Sequence, residues 1–414
     1  MTLSKRGVLR YKFDFALDCA SADIADCASV EVIGGALRAL PSFTRLSTRS
    51  AYQGIFGRLG DTLYLHSNNK VYAYDGALQE IATVSSGIGK PCSAEYRGTI
   101  ITSIKSFGTC VLHGADFTRV TSDAYDDLTV AGERIFALRG NVVYFGEVGE
   151  HSVSDSCEYA ELPAQCNAIV TLGNSAYALG DTCCKLTPSA DYNGFQVSVV
   201  ARGIGEVQRG SAAVLGNRVV FAASDGLYCL DGSRVKRIFN KISRNIDFTD
   251  CFASVYRGGY LLSLPATANR PTLLLDIDEE KCLCVYAANI SQTQVYRGKI
   301  SAVFANGLFK GETGVAAEYN DEMQYKFSNV DFGVNAVKHL RCLLIKTASP
   351  VDLYLTSESE TRLTRVNGKP RVQRIPLYGS GRRFCLHIKS KGDARIEYLE
   401  LAAETFKEKN YGDK

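Results

Sequence analysis

From about residue 52 to residue 320 one local pattern recurs: an alternating apolar run, a glycine or polar turn, a second alternating run, and a corner of the Tyr-x-Leu or Tyr-Asp-Gly kind. Gly60-Asp61-Thr62-Leu63-Tyr64-Leu65 with Val71-Tyr72-Ala73-Tyr74-Asp75-Gly76 is matched by Gly216-Asn217-Arg218-Val219-Val220-Phe221 with Leu227-Tyr228-Cys229-Leu230-Asp231-Gly232. Looser copies begin at Tyr96-Arg97-Gly98, Gly132-Glu133-Arg134 and Leu172-Gly173-Asn174, and the first of these tripeptides returns at Tyr256-Arg257-Gly258 and Tyr296-Arg297-Gly298. Within a run the period is two, with Leu63 and Leu65 on one face and Thr62, Tyr64 and His66 on the other, which predicts strands and not helices. Asp75-Gly76, Asn193-Gly194, Asp225-Gly226, Asp231-Gly232 and Asn306-Gly307 supply hairpin turns that tolerate positive φ.

Units spaced by roughly 30 to 45 residues, each of four short strands, cannot bury both faces of their sheet alone. Packing six or seven of them around an axis solves this and leaves only short edges, so the chain is expected to be all-β, with a β-propeller over residues 1–333. Tyr11-Lys12-Phe13-Asp14-Phe15 resembles Tyr325-Lys326-Phe327 with Asp331-Phe332, and the two are expected to be neighbouring strands that close the ring from the N-terminus. Beyond the repeats, alternating runs at 339–346, 351–356, 362–366, 372–377, 384–388 and 395–401 predict a small C-terminal β-sandwich over residues 334–414, with a short tail. In it Phe384, Leu386 and Ile388 face opposite to Arg383, Cys385, His387 and Lys389.

Charge separates the two parts. The net value of +3 is too mild to imply nucleic-acid binding by the whole chain, but residues 338–414 carry 16 Lys and Arg against 9 Asp and Glu. That segment is therefore near +7 while the remainder is near −4. The 37 glycines, 22 tyrosines and 19 phenylalanines fit strands and tight turns, and no apolar stretch is long enough to span a membrane. Asp14, Asp18, Asp23 and Asp26 interrupt any apolar run near the start, so no secretory signal is read and the 14 cysteines are expected to be thiols. Their spacing includes no C-x-x-C; Cys282 and Cys284 should share one strand face.

The sequence offers little to catalysis. His66, His113, His151, His339 and His387 are scattered, without a metal-ligand spacing, and read as packing or surface residues. Gly87-Ile88-Gly89-Lys90 continues into Pro91 where a phosphate loop needs Ser or Thr, and Gly203-Ile204-Gly205 lacks a third glycine; both read as turns between blades. The acidic groups Asp276, Asp278, Glu279 and Glu280, and Asp123, Asp126 and Asp127, read as solvated turns in preference to metal sites. No cofactor is expected.

Gly34-Gly35-Ala36-Leu37-Arg38-Ala39-Leu40-Pro41-Ser42-Phe43 after a leading strand, followed by irregular propeller-like repeats, resembles virion proteins of tailed bacteriophages in the tail, neck or nozzle. Val330-Asp331-Phe332-Gly333, Lys338-His339-Leu340-Arg341, Val351-Asp352-Leu353-Tyr354-Leu355 and Ile396-Glu397-Tyr398-Leu399-Glu400-Leu401 are similar to the small C-terminal β-domains of such proteins. The resemblance implies a non-enzymatic structural subunit, assembled in the bacterial cytoplasm into a virion. Its partners would be other virion proteins and copies of itself in a ring, with nucleic acid met only indirectly. The alternative is a propeller module that recognises a host-surface glycan or protein. For the assembly contact, the basic C-terminal segment singles out Arg371, Arg374, Arg382 and Arg383.

Overall fold

The computed structural model describes residues 8–17, 27–40, 43–47, 54–188, 194–240, 246–267, 271–286, 290–304, 307–311, 322–391 and 394–405. Strands β1 (Val8–Lys12), β2 (Val30–Ile33), β3 (Ala36–Ala39) and β4 (Phe43–Ser47) come first. Five four-stranded antiparallel sheets follow in succession. They are β5–β8 (Gly54–Leu59, Thr62–Ser67, Lys70–Tyr74, Leu78–Thr83), β9–β12 (Cys92–Tyr96, Thr99–Ile104, Gly108–His113, Asp116–Thr121) and β13–β16 (Asp127–Ala131, Arg134–Arg139, Val142–Phe145, Glu158–Glu161). Then come β17–β20 (Ala168–Leu172, Ser175–Leu179, Thr182–Pro188, Phe195–Arg202) and β21–β24 (Ala213–Leu215, Arg218–Ala223, Gly226–Leu230, Val235–Ile238). β25–β27 (Phe252–Tyr256, Gly259–Ser263, Thr272–Asp276), β28 (Lys281–Tyr286) and β29–β31 (Ile290–Tyr296, Lys299–Phe304, Gly307–Gly311) continue the chain. The last strands are β32 (Met323–Lys326), β33 (Lys338–Thr347), β34 (Val351–Thr356), β35 (Thr361–Val366), β36 (Lys369–Pro376), β37 (Ser380–Gly381), β38 (Cys385–Ser390) and β39 (Arg395–Thr405).

The chain divides into two units, one made of Phe43–Glu280 with Ala288–Glu312 and the other of Met1–Ser42, Lys281–Ala287 and Thr313–Lys414. In the first, the leading strands β5, β9, β13, β17, β21, β25 and β29 each touch their successor, and β29 returns to β5. A closed succession of antiparallel sheets of this kind is a β-propeller. The period of two explains it: Leu63 and Leu65 pack against Val303 and Leu308 of the preceding sheet, while Tyr64 between them packs against Ile100 and Leu112 of the next. The sheets β5–β8 and β21–β24 are equivalent, with Leu63 opposite Tyr74 in one and Val219 opposite Leu230 in the other.

The repeated Tyr-Arg-Gly tripeptide has a geometric cause. It makes the tight turn from the first strand of a sheet to the second, with φ of 47°, 50° and 48° at Arg97, Arg257 and Arg297 and of 74°, 74° and 73° at the glycines. Two consecutive positive φ values define the primed hairpin turn, which glycine accepts without steric cost. Each arginine lies over the ring of its own tyrosine at 5.1–5.5 Å. The Tyr96 hydroxyl donates to the Glu133 carbonyl at 2.7 Å, and that of Tyr296 to the Asp61 carbonyl at 2.9 Å, each in the corresponding turn of the next sheet. The tripeptide is both a turn and a latch between neighbours.

Closure differs from the expectation that Tyr11–Phe15 would complete the ring. The strand that joins β29–β31 is β4, with Phe43 opposite Gly311. β1 instead pairs with β39, Val8 opposite Glu404. The likeness between the two aromatic segments reflects a shared cluster, in which Phe13 and Phe327 lie 4.5 Å apart and the Tyr325 hydroxyl donates to the Ala16 carbonyl. A boundary at residue 333 is thereby replaced by a discontinuous division, because β1 and β3 find their ladder partner in β39 and β2 pairs with β28.

In the second unit β39 pairs with β33 on one side and with β1 and β3 on the other, β2 joins β3 and β28, and β36 and β37 lie along β33. A separate sheet runs β32, β38, β34, β35. Phe384, Leu386 and Ile388 are buried while Cys385, His387 and Lys389 are half-buried, as the alternation requires. Cys282 and Cys284 are both buried on β28.

Candidate assembly interface

Arg371 and Arg374 lie on β36, and Arg382 and Arg383 follow directly after β37, where the chain leaves this sheet for β38. β36 and β37 pair with β33 alone; Arg371 lies between Lys369 opposite Thr347 and Gln373 opposite Ile345, and Gly381 is opposite Lys338, so the stretch from Arg371 to Gly381 runs along roughly 26 Å of that edge. All four are exposed, and among the described residues none forms an ion pair. Their neighbours Arg362 and Arg365 are paired with Glu360 and Asp352. Val372 and Tyr378, 48% and 72% exposed, interleave apolar surface with the charge. The ladder on β36 is irregular, because Gln373 faces Ile345 but Lys369 faces Thr347, and Pro370 and Pro376 remove donors. Bulges, prolines and cations also keep an open edge from accepting another strand, so side chains and not backbone are what this edge offers.

Next to Arg382 and Arg383 lies a group the sequence did not single out. The Arg382 amide donates to both carboxylate oxygens of Glu358 at 3.1 Å and the Arg383 amide to one at 2.8 Å. A side chain on Gly381 would meet that carboxylate at 2.6 Å. Lys338, fully buried, donates from Nζ to the Arg382 carbonyl at 2.6 Å. Glu358 is held below the usual carboxylate range by its own backbone N–H first and then by the Arg383 and Arg382 amides and Lys338. Burial lowers Lys338, opposed by Asp331 and Glu358.

The propeller axis carries a channel of about 1500 Å³. Its polar lining includes Ser93, Thr129, Asn167, Thr171, Gln292 and Gln294. The Arg209 guanidinium reaches from the turn before β21 to the Lys90 carbonyl at 2.5 Å and the Asp126 carbonyl at 2.7 Å. Lys90 also pairs with Asp250 at 2.5 Å. Lys90 precedes β9 while Asp250 precedes β25, so these contacts cross the mouth and brace distant sheets. Gly87-Ile88-Gly89 and Gly203-Ile204-Gly205 are turns between sheets, with the buried Ile88 and Ile204 as plugs. Asp127 is not a solvated turn residue: it opens β13 in the channel wall and accepts the Ile169 amide at 2.9 Å from the next sheet. Burial pushes its carboxyl up to about 7, against the pull of the Ile169 amide and Arg209. Burial pushes His66 down to about 4. Along the chain Asp127 is only part of an acidic run, since its partner lies 42 residues on.

No family model and no curated protein matches the chain. Among solved structures it is similar to the extracellular domain of the B. thetaiotaomicron protein BT4673, at TM-score 0.46 and 12% identity over 79% of this chain and 48% of that one. It thus spans about half the length of that domain. It is also similar to the RRP9 WD40 repeats, at TM-score 0.46 and 11% identity over 66% of this chain and 99% of that one. BamB from Moraxella catarrhalis follows at TM-score 0.41 and 10% identity, over 73% and 97%. The propeller fold itself rests on the closed order of sheets in this chain.

Proposed function

We propose that the protein is a non-enzymatic structural subunit of a tailed phage particle, in the tail, neck or nozzle. It uses a seven-bladed propeller as a rigid body and the sandwich formed by the two sheets of the second unit as its docking part. The observation that carries this reading is the exposure of Arg371 and Arg374 on β36 and of Arg382 and Arg383 just after β37, without ion-pair partners among the described residues, together with the exposed Val372 and Tyr378. Such a surface favours an acidic neighbour through steering and register. The phage assignment draws on the sequence resemblance, and assembly would take place in the host cytoplasm with other virion proteins or copies of the chain.

Replacing Arg371, Arg374, Arg382 and Arg383 together by Ser is expected to leave the monomer folded while incorporation into particles falls, and added salt is expected to reproduce the defect in the wild type. Normal incorporation by the quadruple variant would move the contact to the propeller. A second reading, recognition of a host-surface glycan or protein, draws on blade three. There Tyr159, 59% exposed, meets the Tyr144 ring at a tilt with centroids 6.2 Å apart, and Arg139 lies over Tyr144 and Tyr125 at 5.5 and 4.8 Å. Exposed tyrosine backed by a fixed guanidinium is a platform for a sugar face.

A further inference from the structure

We infer that the cradle formed by the Arg382 and Arg383 amides, Gly381 and Lys338 is a carboxylate-binding site. In the isolated chain Glu358 fills it, and in the assembly an acidic side chain of a neighbouring subunit takes Glu358's place. The inference rests on the arginine edge being the assembly interface and names what that edge recognises.

The two halves of the contact are built unequally. The receiving half is fixed in place: Lys338 has no exposure and Gly381 is buried, while the carboxylate that it holds stays open to solvent. Its specificity is for an anion with two oxygens. Two consecutive backbone amides point into one place, and the missing side chain of Gly381 leaves the space that one carboxylate oxygen occupies. Lys338 sets its ammonium behind the peptide that presents those amides and adds positive potential. The supplying half is shallow. Glu358 is exposed on the short turn between β34 and β35, which is held by the Ser357 amide on the Glu360 carbonyl at 2.8 Å and the Ser359 amide on the Ser357 hydroxyl at 3.4 Å. A carboxylate on an exposed turn exchanges with another at little cost, because water reaches it and the bonds lost on one side are remade on the other. Arg382 and Arg383, exposed at the rim, would draw the incoming acid and pair with what flanks it.

The test uses the full chain as wild type, E358A and the double variant E358A with G381A. Melting is followed in sodium formate and in sodium chloride at equal ionic strength. E358A is expected to gain about 1–2 °C more from formate than from chloride, the wild type nothing beyond the salt effect, and the double variant to lose the gain because the alanine methyl fills the cradle. Should E358A fold poorly, E358S, whose short side chain likewise leaves the cradle empty, is read in the same way. An equal response of the single variant to formate and chloride overturns the site. In particle incorporation or self-association, E358A is expected to bind about tenfold more tightly than wild type, since the internal competitor is gone, and formate should weaken it. Unchanged association overturns the partner's role. The quadruple arginine variant keeps both amides, so normal incorporation by it removes the interface reading while the formate melts still decide the cradle.

Discussion

At the residue scale, the axial channel moves two titratable side chains in opposite senses. Asp127, raised to about 7 from 3.8, keeps in the folded state a proton that the unfolded chain has released, so its contribution to stability fades as pH climbs from about 4 to 7. His66, lowered to about 4 from 6.5, stays neutral when folded, so its contribution fades as pH falls through that interval. Above pH 6.5 the aspartate acts alone. Replacing Asp127 by Asn is therefore expected to raise the melting temperature relative to wild type at pH 8, with the difference shrinking toward pH 4. Replacing His66 by Gln is expected to flatten the acid side instead. A pH series of thermal melts on the three proteins checks both signs, and parallel curves would contradict them. Asp127 stands in the sequence as one of three neighbouring acids, and nothing local distinguishes it. Its surroundings come from β17 and from Arg209, 82 residues away in the chain.

At the element scale, alternation was enough to locate strands but not their partners. The runs read at 351–356 and 362–366 coincide with β34 and β35 to within a residue; β34 has one buried face, whereas β35 buries only Val366 and is found by its alternation alone. β4 escaped notice, since five residues with a single buried phenylalanine look like any connecting segment. Yet it supplies the outer strand of the last propeller sheet. Replacing Phe43 by Ala is expected to cost about 3–5 kcal/mol, and unpairing β4 would bare β31 as an open edge. Denaturant melts should show the loss, and size-exclusion chromatography should show new aggregates. A loss under about 1 kcal/mol would mean that the ring is held shut by the β29–β5 contacts instead. Those contacts are substantial: Gln292 accepts the Ile55 amide at 2.7 Å and donates to its carbonyl at 2.9 Å.

At the scale of the whole molecule, the cysteines report on packing. Cys92, Cys110, Cys166, Cys183, Cys184, Cys229 and Cys251 are buried thiols of the propeller unit. Burial pushes Cys110, Cys166 and Cys251 up to about 12 and Cys183 to about 11, which removes the reactive thiolate at neutral pH. A thiol reagent is expected to titrate few groups in the native protein and nearly all 14 once it is denatured without reductant. Recovery of half or fewer would show that the chain folds in an oxidising compartment.

The sequence by itself determined the strands, the tight turns and the repeat. These depend on period two and on residues that accept positive φ, and both are properties of a few consecutive positions. It also isolated the basic segment, since charge is counted and not folded. Which strand closes the ring, which residues make up each unit, and which carboxylate fills the cradle at Gly381 were decided only in the tertiary structure. Each depends on two segments far apart in the chain meeting at one place, Phe43 with Gly311, Val8 with Glu404 and Glu358 with Arg382. A pattern along the chain states which face of a strand is apolar, but the edge of that strand carries the same backbone groups everywhere, so its partner is chosen by the shape of the whole core.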